Sequence, residues 1–473
     1  MTSPAPGIPA PAELTRAATS RATGYDPGRR FLARTERIAP PASTSPTALL
    51  ELLPAQAVTT DLCSWVRDGQ GVVGWGSAAR VVTGGTRRFA DAQDWWRRFV
   101  DRVEVHDEVG VWGTGPLAFA SFSYSPDSAA RSALVVPAVT VGRRGEVWWR
   151  TTVSAVDDPS EASELTSPRR PEGREVDVSG LGRGTSLGAA LPTGLPHGEV
   201  AFSDGARSGP RWREAVARAV AAIAEGAVDK VVLARDLVAT AAAPIDLRVL
   251  ARRLASGYPR TWVFCVDGLV GATPEMLVRL ERGLVTSRVL AGTIRRSGDD
   301  DHDLALAASL ARSSKDLEEH EYAVRSVADA LAPHCTSMNV PESPFVLHLP
   351  NVMHLATDVA GRTRNGDTSL DLAASLHPSA AVCGTPTAAA DAIIARLEGM
   401  DRGRYAGPVG WMDARGDGEW GIALRSGALD SRDPRRMRIF AGCGIVAGSD
   451  PDAELAESEA KLVPMRDALT TEH

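Results

Sequence analysis

Apolar and polar residues alternate most plainly where strands are expected to run in pairs. "SWVRDGQGVVGWG" (64–76) sets apolar and small residues on either side of Asp68-Gly69, and "ALVVPAVTVGRRGEVWWRTTV" (133–153) does the same around "GRRGE". Both read as β-hairpins. "EMLVRLERGLVTSRVLAGT" is a third strand pair, turning at Arg282-Gly283. Helical periodicity takes over in "RWREAVARAVAAIAEG" (211–226), with Gly226 as its stop. The pattern then predicts a buried strand at 229–240, a helix in "DLRVLARRLAS" and a strand in "TWVFCV". Helices follow at about 301–311 and 315–332, strands across 344–363, and a helix from about 386 to 399. A meander covers 404–447 with a tight turn at 416–418, and a last helix runs from about 450 to 468. Strands paired through tight turns predict an α+β fold, its sheet mainly antiparallel and its helices outside.

Two stretches lack any period. Residues 1–45, rich in Pro, Ala, Ser and Thr, read as a loosely structured N-terminal arm. Residues 155–209 are polar and Gly/Pro/Ser-rich, a long surface loop and the best candidate seam in the chain. The remaining bulk properties narrow the function class. A net charge of −7, with basic residues scattered rather than banked, argues against a nucleic-acid or anionic membrane surface. The five cysteines are far apart and form no CxxC pair, which reads as a reduced protein without a thiolate zinc site. The N-terminus shows neither a basic n-region nor an apolar h-region, and no stretch approaches a membrane span in length. The expectation is a cytoplasmic protein.

The candidate chemistry begins with acids. "SSKDLEEHEYAV" (313–324) offers Asp316 and Glu319 at i,i+3, and "DAELAESEAKL" offers Glu454 and Glu457 at the same spacing, with Lys461 one turn on. If the two helices face each other, the four carboxylates need a cation, and oxygen-only donors suit Mg²⁺. Each pair read alone fits a solvated helix face as well. "AGCGIVAGSDP" (441–451) runs a strand of small residues into a helix start at Ser449-Asp450-Pro451. Its N–H groups fit a carboxylate, and tight sheet packing explains the same glycines. Arg425 lies in an apolar strand, where a buried guanidinium needs an anion, either an internal acid or a substrate carboxylate. Lys230 opens a buried strand; desolvated in a cleft it becomes a general base, and at a strand edge it is simply solvated. Glu275, after "GATP", suits a general acid if apolar surroundings raise its pKa. His354 and His377 are candidates for orienting roles. No P-loop and no GxGxxG between strand and helix points to a nucleotide.

Seven segments in order, "KVVLAR", "GATPEMLV", "LAGTIRR", "KDLEEH", "HPSAAVCGTPT", "RGRYAGPVGWMDARGDGEWGIALRSG" and "AGCGIVAGSDPDAELAESEAKL", resemble the chorismate-utilising enzymes. That family includes isochorismate, salicylate, anthranilate and aminodeoxychorismate synthases. The resemblance covers roughly residues 211–466; the N-terminal part matches only through its hairpins. It implies one large α+β domain over 46–473, two stacked antiparallel sheets with helices outside and the site in a cleft. The 155–209 segment is then a connection within that domain. It implies one Mg²⁺ carrying the ring carboxylate of chorismate, with Glu319 and Glu457 as direct ligands and Asp316 and Glu454 nearby or bound through water. Arg425 and Tyr405 would take the enolpyruvyl carboxylate with the Gly444 N–H. Gly292 and Thr293 would line the carboxylate end, with Lys461 and His354 near the same site.

Within the family, aminodeoxychorismate synthases carry a nucleophilic lysine where this chain has Ala291. Anthranilate and salicylate synthases read "xTxxGxPK" where this chain reads "AAVCGTPT", so Ala381 replaces the threonine and Thr387 the lysine. The version here resembles isochorismate synthases. The implied reaction has Lys230 activating a water for attack at C2 while Glu275 protonates the departing C4 hydroxyl. The alternatives are a salicylate synthase, an anthranilate synthase component I, and a catalytically silent chorismate-binding protein. The isochorismate reading needs no glutaminase partner, and the resemblance implies a monomer.

Overall fold

A computed structural model describes residues 29–43, 45–55, 59–156, 196–348, 352–364 and 366–470; the side chains of Lys315 and Glu319 are outside this set. Two-residue turns build much of the sheet. Asp68-Gly69, Asp267-Gly268 and Arg282-Gly283 all have positive φ at both positions, the twist that joins antiparallel neighbours. The first and third are the hairpins expected from the sequence. Among the described residues the strands form one thirteen-stranded and one ten-stranded sheet. Every pairing is antiparallel except that of Arg30–Arg37 with Val103–Asp107.

Both sheets draw strands from either side of 155–209. In the larger, Cys63–Arg67 pairs with Trp262–Val266. In the smaller, Leu117–Ser121 pairs with Pro408–Asp413. These pairings fuse the N- and C-terminal parts into one α+β domain. Large side chains fill the space between the sheets, with Trp65, Phe119, Phe264, Trp411 and Trp420 fully buried. Helices cover the outer faces. Leu247–Gly257 and Pro451–Thr470 lay Leu250, Leu254, Leu462, Met465 and Leu469 on the larger sheet. Ser314–Leu331 lays Val324, Val327 and Leu331 on the smaller. Burying each such side chain contributes roughly 1.5–3 kcal/mol. No described helix is long and apolar enough to cross a membrane.

The structure corrects several boundaries. The segment 1–45, read as an arm, contains the strand Arg30–Arg37, which buries Phe31, Ala33 and Thr35. Its three arginines and one glutamate hid that alternation. The stretch 133–153 is three strands, Ser132–Val136, Val139–Arg144 and Val147–Val156. Pro137, which cannot donate to a ladder, marks where the chain leaves the smaller sheet for the larger. The loop read at 155–209 carries the strand Val200–Asp204; its residues 157–195 lie outside the described set. Sequence periodicity also missed the helix Arg88–Val100, which buries Ala92, Trp95, Trp96 and Phe99 at helical spacing, and the capping-box helix Ser369–Ser375.

Candidate active site

Glycine and other small residues open a cavity of about 210 Å³ beside the strands Lys230–Ala241 and Arg436–Ile445. These strands pair antiparallel, with Val232 opposite Gly444 and Ala234 opposite Gly442. Gly442 and Gly444 line the wall, and a Cβ at Gly442 would stand 3.2 Å from the Tyr405 hydroxyl. The opposite wall comes from Leu284–Arg295, which bulges between Ala291 and Thr293 where it pairs with Val352–Thr363. The extra residue, Gly292, has φ +73, and a Cβ there would press on Asp316 at 3.1 Å.

Of the positions singled out from the sequence for the site, these border the cavity: Lys230, Glu275, Gly292, Thr293, Asp316, His354, Ala381, Tyr405, Arg425, Gly444, Glu454, Glu457 and Lys461; Thr387 instead opens the helix Thr387–Leu397. Glu319 follows Asp316 by one turn in Ser314–Leu331, and its side chain lies outside the described residues. His377 is structural, its Nε2 2.8 Å from the Tyr124 carbonyl.

Arg425 is not within a strand as expected. It sits where the chain crosses from Gly418–Ile422 in one sheet to Ser426–Leu429 in the other, with φ +49. A left-handed non-glycine residue of this kind is held by its surroundings, here partly by the bond from Ala272 N–H to its carbonyl at 3.2 Å. Its side chain is buried, and among the described residues no carboxylate pairs with it. Burial lowers its pKa, countered by Tyr405, Tyr258 and Glu457.

The acids and bases divide by environment. Burial pushes the Glu275 carboxyl up to about 7, against the opposing pull of Lys230 and Lys461. Burial, then Arg425 and Lys461, push His354 down to about 3, so its ring is neutral at pH 7; Nδ1 lies 2.9 Å from Thr293 Oγ1. Burial raises the Tyr405 hydroxyl to about 12, and its ring stacks on Phe440 with centroids 5.0 Å apart. Burial also works to raise Glu457, but Lys461 at 2.6 Å outweighs it and holds the carboxyl below its ordinary value. Lys461 also donates to the Gly442 carbonyl at 3.0 Å.

Asp450, not Ser449, caps the helix Pro451–Thr470, accepting from Asp452 and Ala453 N–H. Ser449 instead donates to Glu454 at 2.7 Å, fixing that carboxylate in the cavity wall. Glu454, Glu457 and Cys443 bring ligand atoms within 4.8 Å of one another. Burial pushes the Cys443 thiol well up, which leaves the carboxylates as the donors. Carboxylates on one helix, with Asp316 lining the same cavity, fit a hard, oxygen-seeking cation. Sequence reasoning read Ser449 only as part of a helix start and missed Arg402. Arg402 opens one of the quoted segments, but its partner Glu398 stands four residues earlier, a spacing that reads as an ordinary surface pair.

The sequence profile of the family described as chorismate binding enzyme matches residues 42–470. A putative isochorismate synthase of Mycobacterium tuberculosis is 44% identical over 268 residues, 54% of this chain and 72% of its own length. The salicylate biosynthesis isochorismate synthase of Pseudomonas aeruginosa is 33% identical over 426 residues, 86% of this chain and 84% of its own. In the crystal structure of a putative 2,3-dihydroxybenzoate-specific isochorismate synthase from Bacillus anthracis the fold is the same. Its TM-score is 0.68 at 28% identity, covering 90% of this chain and 99% of that one.

Proposed function

The chain belongs to the chorismate-binding enzyme family, and from that premise we propose that it is an isochorismate synthase, an isomerase that moves the ring hydroxyl of chorismate from C4 to C2. The observation that carries this reading is Arg425, a buried guanidinium on the cavity with no described carboxylate paired to it. A buried cation needs an anion, and chorismate brings two carboxylates. Arg425 and Tyr405 hold the enolpyruvyl carboxylate beside Gly444. Glu319 and Glu457 would hold Mg²⁺ directly, with Asp316 and Glu454 nearby or bound through water, and the ion would anchor the ring carboxylate and offset the acids around it. Lys230 takes a proton from the water that attacks C2. Glu275, protonated near neutral pH, gives a proton to the hydroxyl leaving C4 as the double bonds shift. One water enters and one leaves, so substrate and product are isomers.

Ala381, on the cavity wall, offers no hydroxyl where the resemblance places one in enzymes that release pyruvate. The enolpyruvyl ether therefore stays intact. Ala381→Thr is expected to raise free pyruvate above the wild-type background in a coupled lactate dehydrogenase assay; no rise would sever that residue from the choice of product. The protein acts as a monomer without a glutaminase, and its product serves a menaquinone or siderophore route.

The deciding experiment incubates chorismate with the purified protein and Mg²⁺ and resolves products by chromatography and mass. Isochorismate without pyruvate is expected. Salicylate with pyruvate, or anthranilate formed only with ammonia, would replace the reading with another branch of the family. Removing metal with EDTA should act first on binding, because the cation anchors a carboxylate present in substrate and transition state alike. At fixed subsaturating chorismate the rate should fall by about 10- to 100-fold and return with Mg²⁺ alone.

A further inference from the structure

The outer edge of Lys230–Ala241 is served by an unusual succession of partners. At its start, Lys230 and Val231 pair with Thr385 and Gly384, and the Val232 N–H donates to the Cys383 carbonyl at 2.7 Å. At its far end the strand Val200–Asp204 takes over from Leu237 onward, and Gly205 N–H donates to the Asp236 carbonyl at 3.1 Å. No strand covers the gap, and side chains do instead. Arg402 Nη2 donates to the Val232 carbonyl at 2.8 Å, the Ala234 N–H donates to Glu398 Oε1 at 2.7 Å, and Trp212 Nε1 donates to the Ala234 carbonyl at 3.3 Å.

Arg402 and Glu398 form an ion pair whose side chains are only 3% and 2% exposed. Arg402 Nη1 also donates to the Val382 carbonyl at 2.7 Å, and the Tyr405 N–H donates to the Arg402 carbonyl at 3.1 Å. The guanidinium thus ties two walls of the cavity together, and the backbone carbonyl of the same residue joins a third. Val232 stands two residues after Lys230, Val382 one after Ala381, and the turn after Arg402 delivers Tyr405. A buried ion pair is weak as a stabiliser compared with apolar packing, whereas a planar fork with five donors fixes geometry well.

We propose that the Glu398–Arg402 pair is a positioning device, standing in for a missing strand to hold Lys230 in register with the Ala381 wall. The proposal rests on the reading of Lys230 as the base, and it concerns placement rather than substrate contact. Chorismate is held by other groups, so loss of the pair should reach kcat before KM.

The test compares Arg402→Lys, which keeps the charge and loses the fork, with the apolar double variant Glu398→Leu/Arg402→Met, which leaves no unpaired buried charge. For each, folding is checked by circular dichroism, kcat and KM are measured, and acetylation of Lys230 is followed by mass spectrometry against Lys461. The wild-type chain has only three lysines, so each labelled peptide is unambiguous. The expected result is a folded protein with kcat lower by about tenfold or more, KM within about threefold of wild type, and an altered Lys230 labelling rate. Arg402→Lys should fall between the other two proteins, and it decides alone if the double variant does not fold. Folded variants with wild-type kcat and unchanged Lys230 labelling would overturn the proposal and reduce the pair to packing. A wild-type protein that makes no isochorismate would instead overturn the functional reading; the labelling comparison then decides the positioning claim by itself.

Discussion

Lys230→Ala is expected to lower kcat by about 10³- to 10⁴-fold, at the upper end of what a positioned general base contributes, while chorismate still binds. The residue stands at the start of a buried strand, borders the cavity, and lies close enough to Glu275 and Glu457 to influence the ionisation of both. Water is a poor nucleophile toward a ring carbon, and no other group expected on the cavity is suited to take its proton. His354, held down to about 3, is too weak a base, and Lys461 is tied to Glu457 and to the Gly442 carbonyl. Alanine removes the base without touching Arg425 or the acidic helices. Binding measured by calorimetry should therefore change little while single-turnover formation of isochorismate collapses. If kcat survives within about tenfold, the base is elsewhere.

Glu275→Gln is the second large effect, and it carries two signs. Activity falls by about 10²- to 10⁴-fold because an amide cannot give up a proton to the leaving hydroxyl. Stability moves the other way above neutrality. Burial raises the Glu275 pKa from 4.5 to about 7, so the folded state holds its proton more tightly than the unfolded chain does. Folding is favoured fully below pH about 4.5, and that advantage is lost as pH rises through about 7. At pH 8 the wild type carries a buried carboxylate that the amide avoids. Glu275→Gln should melt higher than wild type at pH 8, by up to about 3 kcal/mol in stability, and the gap should close toward pH 5. Wild-type kcat should decline as pH rises above about 7 as the acid loses its proton. A variant that melts no higher at pH 8 would mean that the carboxylate is compensated in the folded protein and is not the acid.

What could be read from the sequence follows from how local each cause is. The turns at Asp68-Gly69 and Arg282-Gly283 are set by two residues, and the structure has both where the pattern put them. Gly226, left-handed at φ +74, ends its helix for the same local reason. The acid pairs were ambiguous in isolation because i,i+3 spacing says nothing about what a helix faces; only the ordered resemblance joined them to Arg425 and Lys230. Features made by distant partners stayed hidden. Arg30–Arg37 becomes a strand because Val147–Val156 and Val103–Asp107 flank it. The switch of sheets at Pro137 and the left-handed Arg425 are forced by where the two sheets lie. Glu398 and Arg402 looked like a surface pair until Val232, Ala234 and Val382 closed around them.

The interleaving of early and late strands in both sheets bears on how the protein is made. Leu117–Ser121 leaves the ribosome long before Pro408–Asp413, the strand that covers its edge. At roughly 5–20 residues per second that interval lasts roughly 15–60 s. Throughout it the nascent chain carries apolar β-strands with open ladders, the species most prone to pair with a neighbour. Most of the contacts that finish the domain are distant in sequence, so synthesis rather than local collapse sets the earliest moment at which it can close. Until the final strands and the last helix emerge, shielding of those edges falls to the cell's chaperones.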